Sequence, residues 1–221
     1  AQDKFPTEAI AELGYESAHF GQGQWNGVAI LSRVGLDNVV ANFADGVEPD
    51  HEARIISATC GGVRVSSVYV PNGRSLDNDH YRYKLDWMAR LREHVAAEST
   101  PSDDVIVMGD FNIAPEDRDV YDPVAWAGQI HCTPEERAHF QQLCGLGLVD
   151  AFRLFEQPVK SWSWWDYRNL AFRKNQGLRI DIILVTGFLG AGKTTLVNRL
   201  LSGGIGEGAG LLVNDFGDVV V

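Results

Sequence analysis

Short apolar blocks, parted by turn residues, set the texture of this chain. Residues 28–31, 54–59 and 63–70 read as strands, the last two separated by the turn Gly61-Gly62. Residues 105–108 are wholly apolar, as a strand buried on both faces would be, and 179–185 form another such block. Elsewhere the period lengthens. Over 77–98, Leu85, Met88, Leu91 and Val95 recur at spacings of three and four, which predicts a helix. A shorter helix is predicted over 5–13, stopped by Gly14. Thr133-Pro134-Glu135-Glu136 is a helix start, with Thr as N-cap, Pro at the first position and Glu at the third. Strands dominate with helices between them, which predicts an α/β protein of two packed sheets covered outside by helices. No apolar run approaches the roughly 18 residues of a membrane span, so no membrane partner is expected.

The texture changes near Val185. Gly187-Phe188-Leu189-Gly190-Ala191-Gly192-Lys193-Thr194 leads into a helical run at 195–201, and a glycine-rich stretch then leads to a strand at 211–213. A boundary is placed there, giving a domain over 1–184 and a fragment over 185–221. The chain begins Ala1-Gln2-Asp3-Lys4, with neither a starting Met nor a signal pattern, and is expected to begin in the middle of something. Cys60, Cys132 and Cys144 have no metal or redox spacing and fit a reducing cytosol as core or surface filler, so a cytoplasmic protein is expected.

A net charge of −11 argues mildly against nucleic acid as a partner. One basic face can nevertheless serve DNA within an acidic protein. Arg82, Lys84, Arg90 and Arg92 read as decoration of a solvated helix. Arg168, Arg173, Lys174 and Arg179 form a second basic group, and the run Ser163-Trp164-Trp165-Asp166-Tyr167-Arg168 interleaves aromatics with it. That mixture suits an aromatic core corner or a surface that stacks and cradles nucleic acid.

Two strand ends and one strand interior carry candidate chemistry. Gly109-Asp110-Phe111-Asn112 follows the buried strand at 105–108 and displays a carboxylate and an amide two residues apart, able to point to one side and orient a water. The same pair commonly just opens a turn. Tyr69 and Asn72, in Val68-Tyr69-Val70-Pro71-Asn72-Gly73, offer a phenol and an amide to phosphate oxygens. Asp181 sits within an apolar strand, where a carboxylate needs a cation, a histidine or a hydrogen-bond donor.

Together with 25–32 and 148–153, these motifs resemble the exonuclease III branch of the endonuclease/exonuclease/phosphatase superfamily, over residues 1–184. The resemblance implies a four-layer α/β sandwich, Mg2+ or Mn2+ dependence, and a monomer hydrolysing phosphodiesters of duplex DNA at abasic sites and 3′ ends. By position, Asp110 would activate or orient the attacking water, with Asn112 beside it. Tyr69 and Asn72 would contact the scissile phosphate. Trp164, Leu178 and Ile180 would line the pocket for the base-less sugar, Arg168, Arg173 and Lys174 would approach the DNA backbone, and Asp181 would hold a catalytic histidine. The family's metal-binding Glu and catalytic Asn fall before Ala1, and its Ser-Asp-His segment has no counterpart among the six histidines, all of which precede Asp181. No metal ligand is therefore assigned, and the domain is expected to be incomplete and its activity impaired.

The run Gly187-x-x-x-x-Gly192-Lys193-Thr194, after a strand and before a helix, predicts a phosphate cradle. Gly187, Gly190, Gly192, Lys193, Thr194 and Thr195 are the candidate nucleotide-binding residues, for GTP or ATP. With Asn214-Asp215-Phe216-Gly217, the segment resembles the opening of the CobW-type metallochaperone GTPases, as a strand-helix-strand fragment without their base-reading motif. Two competing classes follow: a nucleotide-binding module, and a DNA-binding protein that does not cleave.

Overall fold

A computed structural model describes residues 2–100 and 103–186, which fall into two units. The predicted helix at 195–201 and strand at 211–213 lie outside the described residues.

The first unit takes the described residues through Tyr69, those of Ser99–Gly109, and those from Val185 on. After a 3-10 turn at Gln2–Lys4 comes α1 (Thr7–Glu12), shorter than predicted. Its Pro6 cap makes no side-chain hydrogen bond and none of its residues is buried, so nothing extends it to Phe5 or Leu13. β1 (Glu16–Gln22) pairs antiparallel with β2 (Asn26–Ser32), from Glu16 opposite Ser32 to Gln22 opposite Asn26. β3 (Asp37–Ala41), β4 (Ile55–Cys60), β5 (Val63–Tyr69) and β6 (Val105–Asp110) lie side by side in that order. β4 and β5 are the hairpin read from the sequence: Cys60 faces Val63 across the turn, and both turn glycines take positive φ, 55° and 88°. Val28, Ile30, Ile55, Ile56, Val65 and Val68 are buried in this unit. Gly109 lets β5 and β6 meet. Its φ is +144°, and a Cβ there would lie 1.9 Å from the Val68 carbonyl oxygen.

The second unit comprises Val70–Glu98 and Asp110–Leu184. α2 (Asp79–Glu98) packs against α4 (Pro134–Cys144), with the short α3 (Pro123–Trp126) between them in sequence. α2 buries Trp87, Met88 and Leu91, and α4 buries Phe140 and Leu143. The start of α4 is as the sequence predicts: Thr133 Oγ1 accepts from the Glu136 N–H at 3.1 Å, and the Glu136 carboxylate accepts from the Thr133 N–H at 3.0 Å. β7 (Val149–Asp150) neighbours β10 (Asp181–Val185), while β8 (Trp164–Trp165) pairs antiparallel with β9 (Gly177–Leu178).

Two basic residues are not where the sequence put them. Lys84 is fully buried and ion-paired with Glu136, rather than decorating a solvated helix face. It shares the inner face of α2 with Trp87, Met88 and Leu91, three, four and seven residues on. Arg179 is also buried. Its guanidinium donates to Asp119 at 2.7 and 3.2 Å and to Asp150 at 2.7 Å, and Arg153 reaches the same Asp119. This knot turns Arg179 inward, and the strand begins after it, at Asp181. No helix among the described residues is long and apolar enough to cross a membrane.

Candidate active site

Asp110 is the last residue of β6, and the backbone on either side of it is pinned. The Val70 N–H donates to the Asp110 carbonyl at 2.8 Å, and the Phe111 N–H to the Ile180 carbonyl at 2.8 Å. The chain then leaves the strand. Asn112 adopts a φ of +50°, a left-handed conformation that asparagine tolerates better than most residues. That turn directs three donors of Asn112 inward: its N–H to Asp110 Oδ1 at 2.7 Å, and its Nδ2 to Asp110 Oδ2 at 3.1 Å and to the Val70 carbonyl at 2.9 Å. Asn72 Nδ2 donates in turn to Asn112 Oδ1 at 3.1 Å. Asp110, Asn112 and Asn72 thus form one linked chain. The sequence reasoning brought Asp110 and Asn112 to one side through strand alternation; the structure does it through a turn closed by their own side chains.

Tyr69, the last residue of β5, belongs to the first unit. The Arg54 guanidinium lies 4.7 Å from its ring centroid and donates to its carbonyl at 3.0 Å and to Asn26 Oδ1 at 3.1 Å. Burial pushes the Glu52 carboxyl up, but the hydrogen bond and charge of Arg54 hold it below the usual carboxylate range.

The aromatic segment follows the β8–β9 pairing, with Trp164 opposite Leu178. Leu178 and Ile180 are 0% and 2% exposed and belong to an apolar cluster with Ala114, Val120 and Cys132. Their side chains are core; Trp164 is half-buried against that cluster and keeps an open part. Ser163 Oγ accepts from the N–H groups of Ile180 and Asp181, each at 3.0 Å, and Asp181 stands half-buried at the head of β10. Beyond the aromatics, Arg173 and Lys174 are exposed, as are Tyr167, Leu170 and Phe172. Arg168 is exposed too, but its guanidinium holds Asp166 by both carboxylate oxygens, which offsets part of its charge.

Sequence reasoning missed a polar cluster behind Asn112. The Lys84 ammonium donates to the Asn112 carbonyl at 2.6 Å, and the His131 Nδ1–H donates to the same oxygen at 2.5 Å. Burial, then the nearby Lys84 charge, brings the His131 imidazole down to about 4. The His131 ring also lies between Trp126 and Trp164, with centroids 6.3 and 6.4 Å away. One signal for Lys84 was available: four residues back along the helix from buried Met88 is Lys84.

The profile of the endonuclease/exonuclease/phosphatase family matches residues 2–202. Exodeoxyribonuclease III of Haemophilus influenzae is 35% identical over 198 residues, covering 84% of this chain and 74% of that protein. Among solved structures, the 3′ phosphatase NExo from Neisseria, bound to product DNA hairpin, is 42% identical with a TM-score of 0.79, over 84% of this chain and 72% of that one. An AP endonuclease from Archaeoglobus fulgidus is 32% identical with a TM-score of 0.78, over 83% and 71%. The family match runs past residue 185, where the sequence reading set a boundary, and none of these matches supports a second, CobW-type segment or a truncation. The phosphate-cradle residues Gly187, Gly190, Gly192, Lys193, Thr194 and Thr195 lie outside the described residues. With the motifs, the strand-end carboxylate and amides, and the profile in agreement, the chain belongs to the endonuclease/exonuclease/phosphatase family.

Proposed function

We propose that this chain is a DNA-repair nuclease of the exodeoxyribonuclease III kind, a hydrolase of DNA phosphodiester bonds acting at abasic sites and 3′ ends of duplex DNA. The observation that carries this reading is the linked chain of Asp110, Asn112 and Asn72 at adjoining loop positions. Asp110 holds the attacking water and takes up its proton. Asn112 fixes the carboxylate by two donors, so its lone pairs stay aimed. Asn72 approaches the scissile phosphate, while Tyr69, in the first unit, and Asp181 keep the roles that the family resemblance gives them, a phosphate contact and the support of a catalytic histidine. Trp164, over the apolar floor that Leu178 and Ile180 build, takes the sugar without a base. Arg173 and Lys174, with Arg168 in part, face the DNA backbone. All of these groups come from one chain, so a monomer suffices.

The family's activity depends on a divalent metal, typically Mg2+. Such an ion takes about six oxygen ligands, several of them water, with one or two from carboxylates. Among the described residues no three Asp, Glu, His or Cys side chains are grouped to hold one, and both Asp110 oxygens already accept bonds from Asn112. No step above runs through the ion. Neither impaired activity nor either competing class is supported by the matches to exodeoxyribonucleases and an AP endonuclease, and none is carried forward.

The test is incision of a duplex with one abasic site, beside duplexes ending in a 3′ hydroxyl and a 3′ phosphate, with magnesium present. Asp110→Asn should lower the rate on each accepted substrate by about 10²–10⁴, the usual loss for a positioned acid–base group. An unaltered rate in that variant would remove Asp110 from the chemistry, and with it this reading.

A further inference from the structure

We infer that Lys84 is a positioning residue for the hydrolysis: its buried ammonium ties the loops bearing Asn72 and Asn112 to a single point. The inference rests on the assignment of Asp110, Asn112 and Asn72 to the active site. Lys84 Nζ donates to the carbonyl of Asn112 at 2.6 Å, to that of Asn72 at 3.3 Å, and to the Glu136 carboxylate. An ammonium has three N–H groups, and here one goes to each loop and one to α4. The lysine stem runs against the first loop, since a Cβ placed on Gly73 would meet Lys84 Cδ at 3.2 Å.

The arrangement is more than an ion pair. Glu136 already accepts from the N–H of His131 at 3.1 Å and from the N–H and Oγ1 of Thr133 at 3.0 and 2.9 Å. A buried pair that only stabilised the fold could be exchanged for apolar groups of like volume at little loss. An apolar group cannot donate to two main-chain carbonyls. Asn112, held left-handed, is therefore fixed at both ends, its side chain on Asp110 and its carbonyl on Lys84 and His131. A shift of about 1 Å in such a positioned group is enough to cost on the order of 10²-fold in rate.

The test uses the whole chain of 221 residues and its double variant Lys84→Met with Glu136→Gln, which removes the donor without leaving a lone buried charge. Thermal unfolding should stay cooperative. The kcat for incision should fall at least about 30-fold with KM within about threefold. Amide exchange at Asn112 and Arg74, whose N–H groups close the two loops onto Asp110 and Asn72, should accelerate. Glu136→Gln alone keeps the Lys84 donors and should recover most of the lost kcat. A folded double variant with wild-type kcat overturns the inference, as does an equal loss in Glu136→Gln. Failure of the double variant to fold would show that the pair holds the fold rather than the loops, and overturns it too. Asp110→Asn serves as control: full activity there brings down the site assignment itself, whereas loss there with no loss in the double variant brings down only the role of Lys84.

Discussion

Replacing Gly109 with alanine should be among the most damaging single-methyl changes available to this chain. The new Cβ would stand 1.9 Å from the Val68 carbonyl oxygen, 2.9 Å from its carbon and 3.1 Å from its nitrogen, all backbone atoms with no rotamer to swing away. Ordinary contact begins at 3.4 Å, so β5 and β6 would have to part by 3.4 − 1.9 = 1.5 Å. Main-chain hydrogen bonds do not survive that opening, and two lost ladder bonds cost about 2 kcal/mol. Holding alanine at a φ of +144° adds about 1–3 kcal/mol of strain. The sum, about 3–5 kcal/mol, is a large part of the 5–15 kcal/mol of a typical domain. Urea unfolding followed by tryptophan fluorescence measures it, with Gly128→Ala as reference. Gly128 has a φ of +68° and nothing within 4 Å of the place its methyl would take, so its substitution should cost only about 1–2 kcal/mol. If the two variants unfold within about 1 kcal/mol of one another, the close approach of Gly109 to Val68 does not govern stability and the reasoning fails.

Two further outcomes are expected. Replacing Arg168, Arg173 and Lys174 together by alanine should weaken duplex binding and reduce the slope of log K against log salt by about 2 rather than about 3, because Arg168 shares its charge with Asp166; an unchanged slope, read from titrations at several salt concentrations, counts against this face as the DNA surface. His131 has its folded pKa lowered from 6.5 to about 4, so the unfolded chain binds a proton that the folded chain refuses. Stability should therefore fall as pH drops from about 6.5 toward about 4, and His131→Gln should flatten that dependence; parallel urea midpoints for both proteins across the window would exclude His131 as its source.

Elements with one strongly buried face were legible in the sequence. β4, β5 and β6 are buried along most of their length and carry apolar residues at most of those positions, with Ser57, Ser66 and Ser67 among the exceptions, and α2 repeats its stripe over several turns. β1 and β3 were not, since most of β1 is half-buried and most of β3 exposed, leaving no apolar alternation to read. The site divides the same way. Asp110, Asn112 and Asn72 lie within short motifs, and the capping box of Thr133 and Glu136 is complete in four consecutive residues. Glu136 also pairs with Lys84, 52 positions away, and local pattern carries no information about that pairing. The sign of a charge also misled: a lysine on a helix ordinarily reads as solvent-facing, and only its register with Met88 and Leu91 says otherwise.

The stretch between Asn112 and His131 has a consequence for what this scaffold tolerates. His131 returns to the residue from which the stretch departs, through its ring on the Asn112 carbonyl, and its own carbonyl accepts from the Ala114 N–H at 2.8 Å. The excursion is tied at its root and again further out, where Asp119 holds Arg179 and Arg153 and the Tyr121 N–H donates to the Gly177 carbonyl at 3.1 Å, so the position that stands clear is Val124, 89% exposed. Lengthening the chain at Val124 costs closure entropy of about 0.6 kcal/mol for each doubling, besides the Asp122 cap of the short helix there. It is therefore the natural place to graft a peptide tag or to let evolution elaborate a new recognition element, while Asn112 stays where it is.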